Sequence, residues 1–95
     1  MATTVKRETP FVFKKKIDDA EVLIQGIIDL YFEEPEGIVL VDFKTDRISK
    51  AMVDNRSKQY LQQIELYAEA LETITGKPII DRYLYFLELG VANTI

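Results

Sequence analysis

The 95-residue sequence predicts an α/β domain with the element order strand, strand, strand, helix, strand. Three observations predict it. Two apolar runs, Val22 to Phe32 and Ile38 to Lys44, flank the turn-forming "EEPEG". Tyr60, Ile64, Tyr67, Leu71 and Ile74 recur at i, i+4, i+7, i+11 and i+14, the stripe of an amphipathic helix. A last run, "IIDRYLYFLEL", follows a helix stop made of Gly76 and Pro78. One core is expected, because two domains cut from so short a chain would each bury too little surface.

The first strand is "ETPFVFKKKI", Glu8 to Ile17, aromatic and β-branched and ended by the polar "DDAE". In the second, Val22, Ile24, Ile28, Leu30 and Phe32 share one face by the period of two, and Asp29 belongs to the other with Gln25, Ile27 and Tyr31. "IVLVDFK" is short and nearly continuously apolar, as a central strand buried on both faces should be. "TDRISKAMVDN" reads as a loop, with Asp54 or Asn55 as the helix N-cap.

Composition narrows the chemistry. The chain is 47% hydrophobic and 29% charged, which argues against disorder. It has no cysteine and no histidine, so thiolate and imidazole metal sites and an imidazole base are excluded. Any metal must be held by oxygen, which favours Mg²⁺, Mn²⁺ or Ca²⁺. No apolar run reaches the ~20 residues of a membrane span, and "MATTVKRE" lacks a secretory apolar segment, so a cytoplasmic protein is expected. The net charge is −4, yet Lys6, Arg7, Lys14, Lys15 and Lys16 crowd the first sixteen residues. That run reads as a solvated strand face, with a phosphate-contacting patch as the alternative.

Each strand of the central hairpin carries one aspartate inside its apolar run. A turn centred between Pro35 and Glu36 sets Asp29 opposite Asp42, with Cβ atoms ~5 Å apart, where like charges destabilise each other. Lys44 points to the same face as Asp42. A divalent cation between the carboxylates, completed by backbone carbonyls and water, would offset the repulsion, and the lysine would then stand near a reacting oxyanion. Spacing alone fits a second arrangement equally: solvent-facing aspartates with Lys44 paired to one of them.

The ordered set of Gly26-x-x-Asp29, then Asp42-Phe43-Lys44, then Gln63-x-x-x-Tyr67 resembles the RecB-type branch of the PD-(D/E)XK nuclease superfamily. In detail it is similar to the C-terminal nuclease domain of the AddA (RexA) chains of bacterial ATP-dependent helicase-nucleases, from "ETPF" onward. The resemblance implies a restriction-endonuclease-like mixed sheet, order βββαβ, with the family's first core helix missing. It implies a Mg²⁺-dependent deoxyribonuclease, Mn²⁺ being an alternative ion, acting as an exonuclease in double-strand-break repair and recombination. DNA and a B subunit (AddB or RexB) would be the partners, with no membrane. Asp29, Asp42 and the Phe43 carbonyl would be metal ligands, and Lys44 the catalytic lysine. Gln63 and Tyr67, one helical turn apart, would face the active site; core packing is the alternative for Tyr67. Glu8 would be a supporting residue or a solvated surface group. Relatives carry a histidine in the upstream helix, and this sequence has none. The chain therefore reads as a single partial domain, residues 1–95, excised from a far longer polypeptide, with no Walker motif and no ATP hydrolysis of its own. An inactive DNA-binding or structural module of the same fold is the rival function.

Overall fold

Residues 3–95 are described by a computed structural model. Strands β1 (Thr4–Ile17), β2 (Ala20–Glu34) and β3 (Gly37–Lys44) come first. A 3₁₀ turn, Lys50–Met52, leads into helices α1 (Val53–Gln59) and α2 (Leu61–Thr75), and strands β4 (Ile79–Phe86) and β5 (Val91–Thr94) follow. The sheet has the order β1-β2-β3-β4-β5. β3 and β4 run parallel, joined across the helices, and the other pairs are antiparallel. This is the mixed α/β sheet expected, with two additions.

The helix is broken in two at Tyr60, whose φ of −98° and ψ of −2° lie at the shallow edge of the right-handed region and whose N–H bonds to the Ser57 carbonyl, three residues back. It also starts earlier than the expected caps, at Val53, so Asp54 lies inside its first turn and favours that positive end of the helix dipole. The extra strand β5 is four residues long, too short for a period of two to stand out.

The first two hairpins, β1–β2 and β2–β3, each turn on two residues. Asp18 and Asp19 have φ of 48° and 64°, the left-handed geometry that matches strand twist, and aspartate tolerates it. Pro35 and Glu36 make the second turn, since Glu34 pairs with Gly37. Gly37 is obligatory: its φ is 152°, and a Cβ there would run into the Pro78 carbonyl oxygen. That oxygen accepts the Ile38 N–H at 2.8 Å, which anchors the start of β4 beside β3.

The core lies between the sheet and α2. Ile28, Ile38, Leu40, Ile64, Leu71, Leu84 and Phe86 are fully buried, and Phe11 and Phe13 of β1 join them. The even-numbered face expected of β2 is only partly buried: Val22 is exposed, whereas Tyr31, of opposite parity, is buried with Ile28. The strand thus turns different faces inward on either side of Asp29. A bend in β1 accompanies the change, because Glu8, flanked by the pairs Arg7 with Leu30 and Thr9 with Ile28, has a φ of 46°. β3 is central, yet Val39 and Val41 are only half-buried and Phe43 is exposed, so one of its faces is open rather than covered.

Candidate active site

Along β3 the period of two carries Leu40, Asp42 and Lys44 to one face, and Leu40 there is fully buried. Asp42 follows it into the interior and is only 4% exposed. The Lys44 ammonium reaches back over it, with Nζ 2.8 Å from Asp42 Oδ2. That approach is close but poorly directed, so the buried Oδ2 has no aligned hydrogen-bond donor. Lys44 Nζ donates instead to Gln63 Oε1 of α2 at 2.8 Å, and lies 4.0 Å above the centre of the Tyr60 ring.

Asp29 approaches from β2. The register pairs Leu30 with Val41, and one step further sets Asp29 opposite Asp42, as the two-residue turn requires. The backbone ladder stops there. Asp29 Oδ2 accepts the Phe43 N–H at 2.9 Å, in place of a β2 carbonyl. Because the N–H and C=O of one strand residue project to the same edge, the Phe43 carbonyl also faces the Asp29 side. Burial pushes the Asp42 carboxyl above the usual carboxylate range by more than Lys44 lowers it, and the adjacent Asp29 adds to the rise.

α2 supplies the backing. Gln63 Nε2 donates to the Tyr67 hydroxyl at 3.3 Å, and the Tyr67 ring packs edge-on against Phe11 with centroids 5.3 Å apart. Tyr67 is therefore a packed residue that holds Gln63 from behind. Gly26 makes the room, since a Cβ there would meet the Phe11 ring at 3.1 Å and the Tyr67 hydroxyl at 3.3 Å. Glu8 stands across from Asp29 and, with Arg7, Asp29, Leu30 and Phe43, lines an open cavity of about 510 Å³. Lys14 and Lys16 are exposed, while Lys15 pairs with Glu69 at 2.6 Å.

For three residues beside the site, Asp46, Arg56 and Tyr60, the sequence gives no signal of a place at the site. Asp46 accepts from Arg56 Nη1 at 2.6 Å and from the Tyr60 hydroxyl at 2.9 Å. Burial raises the Asp46 pKa, but the Tyr60 and Arg56 hydrogen bonds outweigh it and hold the carboxyl below its usual range. Burial and then Asp46 raise the Tyr60 phenol. At neutral pH, Asp46 is thus an anion and Tyr60 a donor. The period of the helix stripe marked Tyr60 as packed but is silent about where its hydroxyl points.

A family model matches residues 2–92, that of the PD-(D/E)XK nuclease superfamily. The chain belongs to that superfamily. The run Asp42-Phe43-Lys44 has the residue types of a (D/E)XK pattern. The chain is 41% identical over 97 residues to the A subunit of the ATP-dependent helicase/nuclease of Thermoanaerobacter sp. (strain X514), a match covering 90% of this chain and 8% of that protein. The protein of the same name from Acetivibrio thermocellus is 40% identical over 94 residues, covering 86% and 8%. That from Carboxydothermus hydrogenoformans is 45% identical over 69 residues, covering 73% and 6%. The PD-(D/E)XK domain thus spans less than a tenth of the length of these curated relatives.

PD-(D/E)XK nucleases generally use divalent metal ions. The donors here fit one sparely. Among the described residues no group of three or more acidic, histidine or cysteine side chains is arranged to hold a metal. What exists is two carboxylates, one with a buried oxygen that lacks a directed donor, and a backbone carbonyl on the same side. Hard oxygen donors of this kind suit Mg²⁺ or Mn²⁺, whose remaining positions water and phosphate oxygens normally fill.

Proposed function

We propose that the chain is the metal-dependent deoxyribonuclease module of a helicase-nuclease of the AddA type. It hydrolyses phosphodiester bonds of DNA, as an exonuclease in double-strand-break repair and recombination in the cytoplasm, with Mg²⁺ as the working ion and, as its partner, a B subunit. One observation carries the reading: a buried carboxylate, a second carboxylate from the adjoining strand and a lysine converge at the open edge between β2 and β3. Burying Asp42 next to Asp29 raises its pKa, and a cation between the two carboxylates would offset that cost.

In this reading Asp29, Asp42 and the Phe43 carbonyl would hold the ion, which when bound would supply the positive charge that acidifies water and polarises the phosphodiester. Lys44 directs its ammonium at the attacking water or at the charge developing on the phosphate oxygens. Gln63 fixes the direction of Lys44, and Tyr67 fixes Gln63.

The test compares Asp42→Ala and Lys44→Ala in the intact protein, by Mn²⁺ titration and single-turnover cleavage of linear DNA. Both should abolish cleavage. Asp42→Ala should weaken Mn²⁺ binding, whereas Lys44→Ala should leave it equal or tighter while the chemical step slows by ~10²–10³-fold. Equal loss of metal binding in both variants would make Lys44 a scaffold residue and overturn its role. Parent-level cleavage in both would place the chemistry elsewhere and leave this chain as a DNA-binding module without activity.

A further inference from the structure

Lys44 is held from three directions, and the three partners are chemically different. Asp42 offers a carboxyl group, whose pull on the ammonium weakens once a cation engages it. Gln63 is neutral and fixes one N–H direction at 2.8 Å. The Tyr60 ring is also neutral, and at 4.0 Å from Nζ it lies well within cation–π reach. Neutral partners hold an ammonium in place without cancelling its charge, which is what a group acting on an anionic phosphate requires.

The ring is itself fixed. Tyr60 sits at the break between α1 and α2. Its hydroxyl lies 3.0 and 2.9 Å from the two oxygens of Asp46, whose side chain is 9% exposed and is gripped on its other side by Arg56. A phenol donating to a carboxylate gains electron density in its ring, because hydrogen-bonded chains polarise one another. The face toward Lys44 becomes more negative. Asp46 follows Lys44 by two residues on the chain, and Arg56 comes from α1, so the network ties the exit of β3 to the helix pair.

We propose that Tyr60 is the positioning residue for Lys44, with Asp46 and Arg56 locking its ring over the ammonium. The inference rests on the reading of Lys44 as the catalytic lysine. It assigns Tyr60 no contact with DNA and no part in holding the ion. Its loss should therefore slow the chemical step without altering substrate or metal binding.

The experiment is steady-state and single-turnover cleavage of linear DNA by the intact protein carrying Tyr60→Leu, Tyr60→Phe, Asp46→Asn or Lys44→Ala, with Mn²⁺ affinity measured calorimetrically and folding checked by thermal melts. Tyr60→Leu should lower kcat roughly 10–100-fold, the scale of a displaced catalytic group, with KM for DNA and Mn²⁺ affinity unchanged. Tyr60→Phe keeps the ring and loses only the tether, so it and Asp46→Asn should recover most of that loss, to within roughly 10-fold of the parent. If Tyr60→Leu is too unstable to assay, Tyr60→Phe and Asp46→Asn decide instead, since each preserves volume and each should hold kcat measurably below the parent's. Parent-like kcat in all the Tyr60 and Asp46 variants, with Lys44→Ala inactive, overturns the positioning role and leaves the nuclease reading intact. A change confined to KM or to Mn²⁺ affinity also overturns it. Parent-like cleavage by Lys44→Ala removes the catalytic lysine, and both readings fall together.

Discussion

Asp42 and Asp46 are four residues apart on the chain, and their environments push them in opposite directions. Asp42 has a raised pKa, chiefly through burial. A carboxyl raised in the folded state contributes stability while it is protonated, and that contribution is lost as pH rises from the unfolded value through the folded one. Asp42→Asn should accordingly raise the melting temperature in metal-free buffer at neutral pH, with the gap over the parent closing in acid, while cleavage is lost. A melt of the variant below that of the parent at pH 7 would show that Lys44 outweighs the burial. For Asp46 burial is outweighed by Tyr60 and Arg56, and its pKa is lowered. Its contribution is present above the unfolded pKa and lost as pH falls through the folded one, so Asp46→Asn should lower the melting temperature at pH 7 and converge with the parent in acid. Thermal melts across the acid range check both signs. The sequence announces Asp42, because a carboxylate inside "IVLVDFK" interrupts an apolar run. It does not announce Asp46, which sits among polar loop residues that hide its partners.

At the scale of elements, α2 and the β1–β2 hairpin support the candidate site from behind. Phe11, Gly26 and Tyr67 come from β1, β2 and α2 and meet at one point. Gly26→Val should destabilise the fold by about 1–3 kcal/mol, because the added methyls have the Phe11 ring and the Tyr67 hydroxyl in their way. Urea denaturation measures that cost, and a change below a few tenths would mean the ring moves aside freely. Tyr67→Phe keeps the edge-on packing and removes the hydroxyl that anchors Gln63. It should cost about 1 kcal/mol or less in stability while lowering cleavage, since Gln63 is then free to leave Lys44. Unchanged cleavage would mean that Lys44 alone orients Gln63. By contrast, Lys15 and Glu69 form a partly exposed pair, with side chains 30% and 43% exposed, and contribute little.

For the whole molecule, the arrangement of charge links stability to the metal. An ion that binds only the folded chain stabilises it by about 2.7 kcal/mol at a hundredfold excess over its Kd, a rise on the order of 10 °C for a domain of this size. Mn²⁺ should raise the melting temperature of the parent, EDTA should reverse the rise, and Asp42→Asn should not show it. A parent melt indifferent to millimolar Mn²⁺ would dissolve the proposed metal site. If the chain is, as proposed, one module of a longer helicase-nuclease, its two carboxylates and one backbone carbonyl are a spare donor set, and the 95 residues alone should cleave linear DNA ~10–100-fold less well than that longer protein. Cleavage by the two at low Mg²⁺ can be compared directly.

The sequence by itself determined the first four strands, the position of α2 and the facing of Asp29 with Asp42. These follow from side-chain period and from a two-residue turn, both of which are settled by neighbours in the chain. Only the tertiary structure decided that Asp42 is buried, that β2 changes its inward face near Asp29, that the helix breaks at Tyr60, and that Asp46 and Arg56 hold the Tyr60 ring that lies over Lys44. Each of these depends on how far and at what angle one element passes another, and a side chain's partners across that gap leave no trace in the local pattern. Tyr60 and Tyr67 occupy the same apolar stripe, one turning its hydroxyl to Asp46 and the other to Gln63. The packing of α1 and α2 on the sheet, and not the period of the stripe, sets those directions.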